Sequence, residues 1–162
     1  MGTASKVILR EVALRDGLQS EQTLVSTGDK LALVEALAAA GVKHLETTSF
    51  VSPRAVPQLR DAADLLARAE RGALRHEVMV PNLKGARAAM DAGADRLIVF
   101  VSASEAHNRA NVGRSISESL SDLDAIFSLA GKNRTPVAAA IATAFGCPYQ
   151  GRVPASDVLA IA

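Results

Sequence analysis

The stretch Ala92-Gly93-Ala94-Asp95-Arg96-Leu97-Ile98-Val99-Phe100-Val101-Ser102 decides the fold class. Gly93 is a typical helix stop. The run Arg96–Ser102 after it is almost continuously apolar, as a strand covered on both faces should be. Such strands belong to parallel sheets clothed in helices. The same alternation extends outward in both directions. Toward the N-terminus, Leu83–Ala92 reads as a helix capped by Asn82, and Leu74–Val80 as a strand ending at Pro81. Ser52-Pro53 reads as a helix start, and Val56, Leu59, Ala63, Leu66 and Ala67 keep helical spacing to about Arg71. Val42–Thr48 is a strand. Lys30–Ala40 is a helix opened by Ser26-x-x-Asp29 and stopped by Gly41. Val7–Val12 is the first strand, and Asp16-Gly17 punctuates the loop after it. Toward the C-terminus, Ala103–Arg114 reads as a polar loop, and Ser115-x-x-Glu118 opens a helix through Ala130. Pro136–Ala142 is the fifth strand, Thr143–Val153 a loop, and Pro154 begins a helix that stops at Ala162.

Strict strand–helix alternation admits two architectures. One is a five-stranded, flavodoxin-like open sheet. The other is a (β/α)8 TIM barrel, which needs about 250 residues. The first strand is followed by Arg15-Asp16-Gly17-Leu18-Gln19 rather than a glycine-rich phosphate turn. The expectation is therefore one partial barrel domain over 1–162, with the first five strands and four helices, cut in its fifth helix.

Composition narrows the function classes. The 162 residues are 49% hydrophobic and 22% charged, enough for one packed core and against disorder. No apolar run approaches the roughly 18–20 residues of a membrane span. Met1–Lys6 lacks the apolar run of a signal peptide, so a cytoplasmic setting is expected. A net charge of +1 with interspersed signs gives no basic stripe, so neither nucleic acid nor membrane is an expected partner. A single cysteine, Cys147, excludes an internal disulfide.

In a parallel α/β fold, functional groups gather after the C-terminal ends of the strands. After the first strand, Arg15 is suited to a carboxylate or a developing oxyanion, and Asp16 to a hard divalent cation. Aiming both at one site requires a turn at Gly17. Asp-Gly is equally a common turn dipeptide. At the end of the second strand, period 2 puts Glu46, Thr48 and Phe50 on one face. A buried glutamate is costly unless paired, and Arg15 is the candidate partner, whether for catalysis or as a structural ion pair. Asn82 reads as a cap. Ser102, Ser104, Glu105, His107, Asn108, Arg109 and Asn111 form a polar loop suited to binding, with His107 either a general base or merely solvated. His44 and His76 fall near the N-terminal ends of strands, the stability face. Cys147 is either a nucleophile or a packed thiol in a tight turn.

Taken together, Arg15-Asp16-Gly17-Leu18-Gln19, Leu45-Glu46-Thr47-Thr48-Ser49-Phe50-Val51-Ser52-Pro53, Val80-Pro81-Asn82-Leu83-Lys84-Gly85, Ala103-Ser104-Glu105 and Gly146-Cys147-Pro148-Tyr149-x-Gly151 resemble the hydroxymethylglutaryl-CoA lyase family. The resemblance runs from about Val7 to Ala162. Leu18 stands where the related Claisen-condensing synthases tend to carry a glutamate, which favours the lyase branch. The resemblance implies an acyl-CoA substrate, 3-hydroxy-3-methylglutaryl-CoA, cleaved to acetyl-CoA and acetoacetate in leucine catabolism. It implies Mg2+ or Mn2+ as cofactor, Asp16 as a metal ligand, Arg15 and Glu46 as catalytic residues, and Arg15 and Gln19 as substrate-binding residues. It also implies a homo-oligomer, a dimer, in the full-length form. The family's His-x-His and asparagine ligands and its functional cysteine would lie past Ala162, so the 162-residue chain alone is expected to be inactive. Cys147 is not that cysteine. Strand five reads Val137-Ala138-Ala139-Ala140-Ile141 where family members tend to carry an arginine and a tyrosine, which admits a related 3-hydroxyacyl-CoA as substrate. Two other readings stand beside this one: a non-catalytic half-barrel for binding or assembly, and an aldolase or synthase on the same frame.

Overall fold

The computed structural model describes residues 7–162, so the reading of Met1–Lys6 lies outside the described residues. Strands β1 (Arg10–Glu11), β2 (His44–Ser49), β3 (Arg75–Met79), β4 (Arg96–Ser102) and β5 (Val137–Ala142) alternate with helices. The helices are α1 (Thr27–Ala39), α2 (Ala62–Arg68), α3 (Leu83–Asp91), α4 (Glu105–Val112), α5 (Ile116–Asn133) and α6 (Ala155–Ile161). All neighbouring strands pair in parallel, in the order β1-β2-β3-β4-β5. A flavodoxin-like sheet would run 2-1-3-4-5. Sequential order moves each crossover the same way, stacks the helices on one face and leaves the other as a barrel interior. The described strands form a half-barrel.

The helix-facing core follows from alternation along the strands. Val78 and Val80 of β3 and Leu97, Val99 and Val101 of β4 pack with Leu66, Ala86, Ala89, Leu123, Ile126 and Ala130. The alternate residues Glu77, Met79, Ile98 and Phe100 therefore face the interior. A second cluster joins Leu14, Val34, Leu45, Ala69 and Leu74.

Four boundaries differ from expectation, each for a local reason. Val7–Leu9 lie outside β1 and are largely exposed, because β1 is a sheet edge with one paired neighbour. The helix expected from Ser52-Pro53 begins at Ala62 instead, after a 3-10 turn at Pro57–Leu59. Pro57 forces Val56 out of the helical region, to φ −134° and ψ 83°. The polar loop Ala103–Arg114 contains α4, capped by the Ser104 hydroxyl and closed by Gly113 in the left-handed region at φ 70°. Finally, Asp16-Gly17 belong to a five-residue π-helical turn, Ala13–Gly17, that begins before the glycine.

Toward the N-terminal ends of the strands, the side chain of Glu77, 1% exposed, meets two guanidinium groups and an imidazole from three neighbours. Arg10 Nη2 lies 2.7 Å from Oε2, while His44 Nδ1 lies 2.9 Å and Arg96 Nη1 3.4 Å from Oε1. His44 and His76 both sit at this end, as expected.

Candidate active site

The site begins with a fully buried leucine. Leu14 seats the π-helical turn against Val34 and Leu45, and burying such a side chain contributes roughly 1.5–3 kcal/mol. The backbone is wound by Asp16 N–H to Val12 O at 2.8 Å and Arg15 N–H to Val12 O at 3.1 Å. This winding, rather than a bend at Gly17, turns Arg15 and Asp16 toward one place. Single π-helical turns of this kind recur at functional sites.

Arg15 donates from Nε to Glu46 Oε1 at 2.5 Å and from Nη1 to Asp16 Oδ1 at 2.8 Å. The Arg15 and Glu46 side chains are 14% and 6% exposed, whereas Asp16 is 64% exposed. One guanidinium thus serves two carboxylates, and the corner keeps one net negative charge. Arg15 Nη2 makes no hydrogen bond among the described residues. The pairing inferred for Glu46 is therefore present.

The shared face expected for Glu46, Thr48 and Phe50 is not. Glu46 pairs with Glu77, but Thr48 pairs with Val78 and Ser49 with Met79, leaving Thr47 unpaired in a β-bulge. The bulge shifts the alternation by one. Ser49 takes the interior position beside Met79, and Phe50 packs on the helix-side core.

Beyond Ser49 a cavity of about 450 Å3 opens at the C-terminal ends of β2–β4. Gln19, Ser49, Phe100, Asn111 and Arg114 contribute to its lining. Gln19 is thus placed at this cavity, whereas Arg15, Asp16 and Glu46 are not among its lining residues. Ser49 and Arg114 escaped sequence reasoning. Ser49 was hidden by the bulge, and Arg114 by the helical folding of its loop. Arg114 is paired with Asp122 on α5. Asn108, 1% exposed, holds this region by accepting from Ser102 N–H and donating to Arg114 O, Ser115 O and Ser119 Oγ.

The remaining candidates are accounted for locally. Asn82 caps α3, accepting from Gly85 N–H at 2.9 Å. His107 Nδ1 lies 2.7 Å from Ser102 Oγ, with its ring 6.0 Å from Tyr149. Cys147 is 7% exposed and packed in a tight turn bridged to Gly151. Burial alone would raise its thiol pKa. Hydrogen bonds from the Ser104 hydroxyl and neighbouring backbone N–H groups outweigh that and lower it. Asp61 behaves similarly. Burial opposes its ionisation, but Lys30 at 2.6 Å and Thr27 at 2.8 Å hold the carboxyl below its usual range.

Asp16 suits one coordination position of Mg2+ or Mn2+, since it is a hard, exposed oxygen donor. The described residues contain no cluster of three or more His, Cys, Asp or Glu able to hold a metal ion. A complete ligand set is therefore absent from them. No helix among them is long and apolar enough to cross a membrane.

The chain is 40% identical to a hydroxymethylglutaryl-CoA lyase of Bacillus subtilis over 155 residues, 95% of this chain and 52% of that protein. It is 41% identical to the mitochondrial hydroxymethylglutaryl-CoA lyase of Homo sapiens, over 98% of this chain and 49% of that one. The HMG-CoA lyase of Acinetobacter baumannii, solved with coenzyme A and 3-methylmalate, superposes with a TM-score of 0.93 at 35% identity. That match covers 99% of this chain and 53% of the other. The chain thus spans about half the length of the relatives it matches. The HMGL-like family profile matches residues 6–162, and the chain belongs to that family.

Proposed function

We propose that the chain carries the enolate-stabilising part of a carbon–carbon lyase site, and that the complete site cleaves 3-hydroxy-3-methylglutaryl-CoA to acetyl-CoA and acetoacetate. One observation carries the reading. Arg15 is held by Glu46 through Nε and by Asp16 through Nη1, at the end of the sheet where parallel barrels do their chemistry. In this cleavage the C2–C3 bond breaks and its electron pair becomes the enolate of the thioester. The C3 hydroxyl gives up its proton as the ketone forms. Arg15, with Nη2 available, donates to the thioester oxygen as negative charge grows there. Removing such a donor typically costs about 10²–10³-fold in rate. Glu46 fixes the plane of the guanidinium. Asp16 would hold Mg2+ or Mn2+ by one oxygen, and the bound cation would acidify the C3 hydroxyl.

Gln19, Asn111 and Arg114 at the cavity supply polar contacts for the acyl-CoA. In this reading the complete barrel is a cytoplasmic dimer serving leucine catabolism. A second reading, a related 3-hydroxyacyl-CoA with a larger substituent, is favoured by β5. Ala138, Ala140 and Ala142 pair with Ile98, Phe100 and Ser102 on the interior-facing side, where small side chains leave room.

The test combines the chain with the C-terminal half of the Bacillus subtilis relative, in Mg2+, and measures acetoacetate release. The chain alone is expected to show none, and the pair to cleave. Cleavage by the pair that persists in Arg15→Gln would sink the assignment of Arg15. A preference for a larger 3-hydroxyacyl-CoA would select the second reading.

A further inference from the structure

We propose that His76 is a positioning residue for the Arg15–Glu46 pair, acting through Thr47 and the bulge in β2; its relevance to cleavage rests on the reading of that pair given above. His76 and Thr47 are both fully buried on the helix side of the sheet, away from the candidate site. Thr47 Oγ1 lies 2.8 Å from His76 Nδ1, and His76 Nε2 lies 2.7 Å from Glu70 O. A carbonyl only accepts, so Nε2 carries the proton. In the neutral ring Nδ1 is then an acceptor, and the Thr47 hydroxyl, with Leu45 O more distant at 3.3 Å, donates to it. Burial favours this neutral form by pushing the His76 pKa down.

Thr47 is the residue the β2–β3 register skips. Its hydrogen bond reaches diagonally to His76, whose register partner is Leu45, and so fixes the extra residue on the helix side. Thr48 Oγ1, next along the strand, is buried with no hydrogen-bond partner among the described residues, which costs stability and makes the Thr47 bond the side-chain hold at the bulge. With Thr47 pinned, Glu46 stays on the interior side against Arg15, and Ser49 enters the cavity lining. Losing the pin would let β2 resume plain alternation, exchange Ser49 for Thr48 at the interior, and strain the Glu46 contact.

The test is NMR of the intact chain, following the Arg15 Nε–H resonance, identified by its loss in Arg15→Lys. Thr47→Val keeps the shape and removes the hydroxyl. Exchange of the Arg15 Nε–H with water should quicken about tenfold, the scale of one lost hydrogen bond. Thr47→Ser, which restores a hydroxyl, should return it to within about twofold of the parent. His76→Phe keeps a ring but removes both nitrogens and should act like Thr47→Val, giving a second route if one variant fails to fold. Unchanged exchange in a folded Thr47→Val or His76→Phe, even with a lowered Tm, would overturn the proposal. So would a His76 protonated at Nδ1. No turnover is read, so these outcomes are independent of whether the chain serves a lyase.

Discussion

Two carboxylates project from the inner side of the same sheet, and their surroundings are opposite. Glu77, the register partner of Glu46 on the neighbouring strand, turns toward the N-terminal ends and meets two guanidinium groups, Arg10 and Arg96, and the His44 imidazole. Glu46 turns instead toward Arg15, beyond the end of β1, and shares that single cation with a second acid, Asp16. The lower cluster is over-supplied with positive charge and ties β1, β2, β3 and β4 together. The upper one is under-supplied and leaves Arg15 Nη2 without a hydrogen bond among the described residues. The two acids start from one level of the sheet, and the directions in which their side chains turn give them opposite ratios of charge.

The largest expected effect breaks the upper cluster. In any preparation that cleaves substrate, Arg15→Gln should lower turnover about 10²–10³-fold. Comparable turnover in the variant would erase the distinction between the two ends. Next, Glu77→Gln should destabilise the fold by about 3 kcal/mol by urea titration, since it leaves the Arg10 and Arg96 guanidinium groups crowded about a neutral group. Activity per folded molecule should hold.

A smaller effect concerns His76. Its folded-state pKa lies below 6.5, so below pH 6.5 the unfolded chain takes up a proton that the folded chain refuses. Stability should therefore fall with pH from 6.5 down to the folded value, at up to about 1.4 kcal/mol per unit. His76→Asn should remove that slope, and the parent-minus-variant difference across pH 5–7 measures it. Glu46→Gln should cost least in stability, about 1 kcal/mol or less, because Arg15 keeps Asp16 and the amide still accepts a hydrogen bond. A Glu46→Gln loss as large as that of Glu77→Gln would show the upper pair to be a structural tie like the lower one.

Much of the frame was legible because its signals are local. The bounds of β4 match those read from its apolar run. Asn82 and the Ser115–Glu118 capping box cap their helices as read, since a cap is made within four residues. Where reading failed, distant contacts had overruled the local pattern. α4 was hidden in a polar segment because its buried face is held by Asn108 hydrogen bonds rather than apolar spacing. The helix expected at Ser52 was undone by Pro57, a local signal that periodicity overrode.

The sequence by itself determined that strands and helices alternate, that Arg15 and Asp16 follow the first strand and Glu46 lies in the second, and which family the motifs resemble. Each depends on residue types within a few positions of one another. The tertiary structure alone decided the strand order, the winding that aims Arg15 and Asp16 together, and the bulge that exchanges Thr48 for Ser49 at the interior. These are set by pairing across the sheet and by burial of Leu14, Thr47 and His76. Those energies come from residues about 20–30 positions apart, and no reading of neighbours along the chain contains them.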